Sequence, residues 1–294
     1  MSSPAALVGT AAARDYLELT KPRITVMVVF TALVGFVMGS RAGFSPLGLS
    51  TVLVGVALVA SGASALNMLL ERDTDALMRR TRDRPLPSSR LQPADVLVFG
   101  MSLTGAGLLE LYLWSGPTAA AVALATWASY LFVYTPLKRR TSLSTLVGAV
   151  PGALPPVIGW AAARGSVDPA ALVLFAILFL WQIPHFLAIA WIYREDYARG
   201  GLPMLPVLDP QGHLTGRQAV SHSLALLFVS LAPAAAGMAG RAYLLGAVLL
   251  GMAMTGVALR AAIVRTTPAA RQLFLASIVY LPLLSALLLL DRRP

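Results

Sequence analysis

Three side chains with oxygen ligands recur every four residues at the end of one apolar segment: Asn67, Glu71 and Asp75. Successive helical residues are about 100° apart, so the three positions stay within about 80° of one helix face. Carboxylate and amide oxygens suit Mg²⁺, which proteins commonly bind through one or two carboxylates together with substrate phosphates. We predict that this Asn67–Glu71–Asp75 column binds a metal-diphosphate. The alternative is a solvated loop beside a membrane with ordinary ion pairs.

Basic side chains follow the column and recur after a later apolar segment. Guanidinium groups can bind phosphate oxygens in a bidentate way, and a lysine can bind them as a point charge. The predicted diphosphate-binding residues are Arg80, Arg84, Lys138 and Arg139. Lys138 and Arg139 could instead bind a propionate. Anchoring of the loops at a membrane surface would require the same basic residues and stays open as an alternative.

A third candidate segment contains His185 and Asp196. His185 lies within an apolar run, where an ionisable group is costly and usually faces the protein interior. On an ideal helix Asp196 would lie about 20° around the axis from His185 and about 16 Å along it, although Pro184 perturbs that alignment. We predict that Asp196 faces the column across a cavity and holds a second metal. For His185 the alternative is a hydrogen bond between helices.

The composition places these residues in a membrane protein. Of the 294 residues, 57% are hydrophobic and 12% are charged, whereas soluble domains carry about 25% charged residues. The chain has no cysteine, which excludes disulfides, thiolate metal sites and a cysteine nucleophile. The net charge of +10 comes from short basic clusters between apolar runs. This distribution is typical of loops beside a membrane and does not favour nucleic acid as a partner.

The apolar runs predict an all-α integral membrane protein. A spanning helix needs about 20 mostly apolar residues, and open sheet edges cannot be satisfied in lipid. The predicted spans are 25–42, 47–70, 93–114, 117–134, 143–162, 168–192, 219–239, 242–262 and 271–290. They form one membrane domain, 1–294. It has an N-terminal segment, 1–24, and three active-site loops, 71–92, 135–142 and 193–218.

The distribution of Lys and Arg predicts the orientation. Most of them lie in the N-terminal segment and in the loops on the same side of the spans, with the densest group at 71–92. Such an excess marks the cytoplasmic side. We therefore expect a multi-pass protein of the cell (inner) membrane. Its N-terminus and active-site loops are cytoplasmic, and its C-terminus lies outside.

Taken together, these motifs resemble those of the UbiA-type intramembrane prenyltransferases, and within that superfamily the branch that acts on haem. The resemblance runs in order from about residue 19 to 206. The matching residues are Leu19–Arg23; Asn67, Glu71, Asp73, Asp75, Arg80, Thr81, Arg84 and Pro85; Tyr134, Thr135, Leu137–Arg139 and Thr141; Gly152, Ala153, Pro155, Pro156, Gly159 and Trp160; Trp181, Gln182, Pro184–Phe186; Asp196, Tyr197 and Met204–Pro206.

This resemblance implies nine helices around a central cavity and a Mg²⁺-dependent reaction. A farnesyl group would pass from farnesyl diphosphate to a vinyl group of haem B, and addition of water would give haem O. His185 would contact the haem. The lipid bilayer surrounds the protein, and a haem A synthase is a candidate partner. The superfamily usually has a second Asp-x-x-x-Asp motif, and here only Glu195-Asp196 occupies that region.

Two other functions stay open at the level of sequence. The first is a UbiA-type enzyme that prenylates an aromatic or chlorin acceptor. The segment Trp181–Phe186 favours haem over these acceptors. The second is a non-catalytic haem or lipid transporter. A transporter would more often show an internal repeat with paired broken helices, and the sequence has no clear repeat.

Overall fold

Nine helices in residues 13–40, 43 and 45–293, the part of the chain that this computed structural model describes, are long and apolar enough to cross a membrane. No strand occurs in the same residues. The all-α prediction is therefore confirmed. The helices are α1 (Pro22–Gly39), α2 (Pro46–Asp75), α3 (Pro93–Ser115), α4 (Pro117–Leu137), α5 (Ser144–Arg164), α6 (Pro169–Ile192), α7 (His213–Ala235), α8 (Arg241–Val264) and α9 (Thr267–Leu290).

Several predicted boundaries differ from the observed ones in the same way. Helix α2 continues to Asp75 instead of ending near residue 70, and α7 begins at His213 instead of 219. The predicted loop 135–142 likewise begins with the helical residues Thr135–Leu137. Hydropathy marks where the apolar run stops, whereas Leu, Glu and Arg continue a helix readily beyond it. The loop 193–218 also contains short helices, Arg194–Arg199 and Leu205–Leu208.

Proline begins most of the spans. It occupies the first position of α1, α2, α3, α4 and α6. The N–H at the first position of a helix has no carbonyl partner within that helix, so proline loses no hydrogen bond there. Its fixed φ also suits the first turn. Helix α5 is interrupted at Leu154, between Ser144–Ala153 and Pro155–Arg164. The break lies immediately before Pro155 and Pro156.

Small residues allow α1 and α5 to approach closely. A Cβ on Gly35 would lie 1.9 Å from the carbonyl oxygen of Pro156, and a Cβ on Gly159 would lie 1.9 Å from that of Ala32. Membrane helices associate through such contacts because lipid offers no hydrophobic driving force between them. This pairing fixes the start of α1, where Lys21 lies, relative to the rest of the bundle.

The end of α4 contains a π-helical segment, Ser129–Tyr134. π turns inside helices are frequent at functional sites. Here the rings of Tyr130 and Tyr134 stack with centroids 5.6 Å apart. Gly148 of α5 leaves room for this arrangement, since a Cβ there would lie 2.4 Å from Cε2 of Tyr134. The segment leads directly into Thr135 and Lys138.

Candidate active site

Each residue of the Asn67–Glu71–Asp75 column contacts a cation from a different part of the chain. Asn67 and Asp75 are both 2% exposed, and Glu71 is half-buried. The three contacts are Lys21 Nζ to Asn67 Oδ1 at 2.9 Å, Lys138 Nζ to Glu71 Oε1 at 2.7 Å, and Arg84 Nη1 to Asp75 Oδ2 at 2.6 Å. The structure thus brings two of the four predicted diphosphate-binding residues, Arg84 and Lys138, to the column.

Thr135 determines how the amide of Asn67 is oriented. Its hydroxyl donates to the carbonyl oxygen of Tyr130 at 2.9 Å. A hydroxyl has a single hydrogen, so Thr135 can only accept from Asn67, whose Nδ2 lies 3.1 Å away. The amide oxygen of Asn67 is therefore directed toward Lys21.

The two lysines at the column differ in their electrostatics. Burial and the neighbouring Arg84 guanidinium lower the pKa of Lys21 to about 7, against the attraction of Glu71. Burial also opposes the charge of Lys138, but the neighbouring Tyr134 hydroxyl and the Glu71 carboxylate outweigh it and raise the pKa of Lys138 above its ordinary value. The ammonium of Lys138 also lies 5.4 Å from the centroid of the Tyr134 ring. Lys138 is thus a fixed positive charge beside the column.

The donor atoms of the column fit Mg²⁺. Glu71 and Asp75 each use one carboxylate oxygen for a cation, and the second oxygen of each has no hydrogen bond within the described residues. The part of the chain described here has no cluster of three or more His, Cys, Asp or Glu side chains suited to a metal. Two carboxylates and an amide are nevertheless sufficient for Mg²⁺ when substrate phosphates and water complete its coordination.

The other two predicted basic residues lie at the exposed edge of the site. The guanidinium carbon of Arg80 is 4.9 Å from the ring centroid of Tyr193 and 5.7 Å from that of Tyr197. Arg139 Nη2 donates to the carbonyl oxygen of Leu70, on the same helix as the column, at 3.4 Å. Stacking on tyrosine rings holds Arg80 in place while leaving its N–H groups available.

Asp196 lies against the turn that follows the column. Its Oδ1 and Oδ2 accept from the backbone N–H groups of Arg79 at 3.1 Å and Arg80 at 3.3 Å, and Arg199 donates to Oδ1 as well. Burial would raise the pKa of Asp196, but these hydrogen bonds outweigh it and hold the pKa below its ordinary value.

The predicted alignment of Asp196 with His185 on one continuous helix is wrong. Helix α6 ends at Ile192, and Tyr193, with φ −108° and ψ 22°, separates it from the short helix Arg194–Arg199. The side chains around this break are charged or aromatic and prefer the aqueous surface. Asp196 is placed by its contacts with Arg79 and Arg80 instead of by the axis of α6.

His185 lies in an aromatic environment between α6 and α9. The rings of Trp181 and Phe274 have centroids 5.0 Å from that of His185, and the ring of Phe186 is 5.7 Å away. His185 Nδ1 lies 2.8 Å from the hydroxyl of Ser277. The hydrogen bond between helices that the sequence left open as an alternative is therefore present.

Ser277 also determines the tautomer of His185. Its hydroxyl donates to the carbonyl oxygen of Phe274 at 2.6 Å. Ser277 must then accept from His185, so Nδ1 carries the proton and Nε2 is left with a lone pair. The backbone carbonyl of Ser277 accepts from Trp181 Nε1 at 2.7 Å, which fixes the neighbouring ring as well.

Lys21, Thr135 and Ser277 received no role from the sequence. Lys21 and Thr135 belong to stretches that carried the resemblance, Leu19–Arg23 and the segment from Tyr134, so their positions were indicated without a role. Ser277 lies in the last three spans, where only hydropathy matched. No sequence pattern distinguishes it from other serines in apolar helices.

A family model described as the UbiA prenyltransferase family matches residues 28–281. The chain belongs to the UbiA prenyltransferase family. This UbiA prenyltransferase is 50% identical over 288 residues to a protoheme IX farnesyltransferase of Solibacter usitatus, covering 95% of this chain and 99% of the relative. It is 44% identical over 291 residues to a protoheme IX farnesyltransferase of Koribacter versatilis, covering 95% and 93%.

Solved structures share the fold of this UbiA prenyltransferase. A digeranylgeranylglyceryl phosphate synthase superposes with a TM-score of 0.79 at 15% identity, covering 95% of this chain and 98% of the other. A UbiA homologue from Archaeoglobus fulgidus, solved with GPP and Mg²⁺, gives a TM-score of 0.68 at 16% identity, covering 93% and 99%. These identities establish the fold alone. The predictions of a prenyltransferase and of a UbiA-type membrane fold are confirmed.

Proposed function

We propose that this UbiA prenyltransferase transfers a farnesyl group from farnesyl diphosphate to a vinyl group of haem B, and that addition of water gives haem O. The name shared by relatives at 50% and 44% identity, each matched over 95% of this chain, carries the proposal. The enzyme would lie in the cell (inner) membrane with the column on the cytoplasmic side, where soluble diphosphates are available. A haem A synthase would be its proposed partner as the consumer of haem O.

In this proposal, Glu71, Asp75 and Asn67 hold Mg²⁺ together with the diphosphate. The support is that the second oxygens of both carboxylates have no hydrogen bond within the described residues. A UbiA homologue of the same fold has been solved with GPP and Mg²⁺. When bound, the metal neutralises charge on the diphosphate and makes it a better leaving group.

Four basic residues contribute to the departure of diphosphate. As the bond between the farnesyl carbon and the phosphate oxygen breaks, negative charge develops on that oxygen. Positively charged groups already in place stabilise this charge. Arg84 and Lys138 lie against the column, so they need little reorganisation. Arg80, stacked on Tyr193, and Arg139 would bind the outer phosphate oxygens.

The acceptor would lie against His185. Its Nε2 lone pair suits an iron ligand or a polar contact near the reacting vinyl group. The apolar rings of Trp181 and Phe274 would pack on the haem plane and exclude water from the allylic cation until transfer is complete. Asp196 is proposed as the carboxylate opposite the column for a second metal, because it binds the turn at Arg79 that begins four residues after Asp75.

One assay tests the proposal directly. Membranes containing the protein are incubated with haem B, farnesyl diphosphate and Mg²⁺, and the haem products are analysed by mass spectrometry. We expect a product heavier than haem B by farnesyl plus water, and no product when the metal is chelated. A product heavier by the farnesyl group alone would support the farnesyl transfer and contradict the addition of water. If haem B stays unreacted while a parallel incubation farnesylates an aromatic acid or a chlorin, that compound replaces haem B as the proposed acceptor.

A further inference from the structure

A cavity lies at the end of the molecule opposite the column. Its volume is about 470 Å³, and it is bounded by the last residues of α1 and α5, the first residues of α6 and the segment after α7. Helix α1 begins beside Lys21, which contacts the column, and ends at Gly39. At about 1.5 Å per residue, its 18 residues place the cavity on the other face of the membrane. It is therefore separate from the proposed active site.

Two arginines give this cavity a positive character. Arg164 Nε donates to the carbonyl oxygen of Gly39, and its guanidinium carbon lies 5.1 Å from the centroid of the Trp160 ring. The two terminal nitrogens of Arg164 have no hydrogen bond to any residue that the structure describes. Arg293 lines the cavity with an exposed side chain, while its backbone N–H donates to the carbonyl oxygen of Met238 at 2.9 Å.

Trp160 forms a buried part of the cavity wall. The residue is 2% exposed and lines the cavity, and the guanidinium of Arg164 lies against its ring. The indole thus holds Arg164 at the cavity while the terminal nitrogens of Arg164 stay unpaired within the described residues.

The acidic group of the cavity is already used. Asp168 is the one carboxylate among the lining residues that the structure describes. Its Oδ1 accepts from the backbone N–H groups of Ala170 at 3.1 Å and Ala171 at 3.4 Å. It therefore caps the first turn of α6. Its negative charge remains, but two arginines against one aspartate leave the described lining positively charged.

We propose that this cavity binds a phosphate group, carried by a phospholipid of that leaflet or free in solution. Arginine forks match phosphate oxygens in a bidentate way, and Arg164 and Arg293 both line the cavity. The apolar lining residues Met38, Val173 and Met238 suit the glycerol and the first methylenes of a lipid.

The test uses the full chain, purified and placed in nanodiscs. Native mass spectrometry measures retention of phosphatidylglycerol against diacylglycerol, which has the same acyl chains and no phosphate, from an equal mixture. Thermal unfolding in detergent is followed during titration with inorganic phosphate. The variants are Arg164→Gln with Arg293→Gln, and Arg293→Gln alone. The matched control is Arg241→Gln, an exposed arginine at the start of α8 on the same face that does not line the cavity.

We expect the double variant to retain at least about tenfold less phosphatidylglycerol than the unaltered chain, since charge-assisted hydrogen bonds from arginine are among the strong ones. The control should retain it unchanged. If the bound phosphate belongs to a phospholipid, we expect selective retention of phosphatidylglycerol and no response to inorganic phosphate. If the bound phosphate comes from solution, we expect inorganic phosphate to raise the unfolding temperature of the unaltered chain and not of the variants.

Two outcomes would overturn the proposal. One is equal retention of both lipids together with no response to phosphate. The other is an equal loss in the Arg241→Gln control. Should the double variant fail to fold because Arg164 no longer donates to Gly39, the single Arg293→Gln variant decides. The Arg293 side chain has no hydrogen bond within the described residues, so its loss leaves the packing unchanged.

Discussion

Ser277 of α9 accepts a hydrogen bond from His185 Nδ1 of α6 across 2.8 Å, and its own hydrogen is donated to the Phe274 carbonyl. Thr135 acts on Asn67 in the same way, since its hydrogen is donated to the Tyr130 carbonyl. In both cases a buried hydroxyl whose hydrogen is already used can only accept. Each hydroxyl thereby sets the direction of one polar site residue.

Replacing Ser277 with Ala should impair the reaction with haem. His185 would lose the acceptor that holds its proton on Nδ1, so Nε2 would present a lone pair for only part of the time. One hydrogen bond of about 1 kcal/mol corresponds to a loss of about fivefold in haem turnover. The same variant should show an altered absorption spectrum of bound haem.

The control for Ser277 is Ser285→Ala, two turns further along α9 and also buried. It removes a serine hydroxyl from the same helix without touching His185. An unchanged haem spectrum in Ser277→Ala, or an equal change in Ser285→Ala, would contradict the role given to this hydroxyl.

Replacing Thr135 with Val should disorient Asn67. Valine keeps the shape of threonine and removes the acceptor of Asn67 Nδ2, so the amide would no longer be held with its oxygen toward Lys21. We expect the KM for farnesyl diphosphate to rise about fivefold, from the loss of one hydrogen bond. Thr126→Val is the matched control in the same helix, because Thr126 donates only to the Val122 carbonyl. Equal effects in both variants would mean that the change acts through α4 as a whole.

The pair of Glu71 and Lys138 should show strong coupling. Glu71→Gln removes a carboxylate of the column and leaves Lys138 charged in a buried position. Product formation should fall more than about a hundredfold, and unfolding should become easier by about 3 kcal/mol.

Adding Lys138→Met to Glu71→Gln should separate these two effects. The double variant removes the unpaired charge, so stability should return toward that of the unaltered chain while activity stays lost. Thermal unfolding in detergent and the haem product assay measure the two quantities. Activity recovered along with stability would remove Glu71 from the proposed metal site.

Gly159→Ala should destabilise the bundle. The added Cβ would lie 1.9 Å from the carbonyl oxygen of Ala32, and α1 would have to move away from α5. We expect a cost of about 1–3 kcal/mol in thermal unfolding. Gly256→Ala is the control, since a Cβ there would meet no atom within 4 Å and alanine favours a helix. A Gly159→Ala variant as stable as this control would contradict the close packing of α1 and α5.

The absence of cysteine makes the proposed orientation directly measurable. Ser88→Cys and Ser166→Cys each introduce one thiol at an exposed serine, the first in the loop after the column and the second between α5 and α6. In intact cells, a reagent that does not cross the membrane should label the cysteine at position 166 and not the one at 88. The reverse labelling would invert the topology.

The spans and the column could be predicted because both depend on local patterns: runs of apolar residues, and a spacing of four on one helix. The partners of the column could not. Lys21 and Asn67 are 46 residues apart, and no local rule pairs them. Asp196 could not be placed either, because it is held by the backbone N–H groups of Arg79 and Arg80, more than a hundred residues earlier in the chain. Ser277 acts through one hydrogen bond across two helices, which leaves no trace in the spacing of its neighbours.

The π-helical segment Ser129–Tyr134 makes the site sensitive to backbone geometry as well as to side-chain identity. A π turn contains one residue more than an α turn, so these six residues turn the chain less than six residues of a regular helix would. If the same residues formed a regular helix, every later position of α4 would rotate by about 100°. Thr135 and Lys138 would turn away from Asn67 and Glu71 together, with the length of the chain unchanged. A substitution that favours the regular helix here would be as damaging as replacing a site residue, although the substituted residue need not touch any substrate.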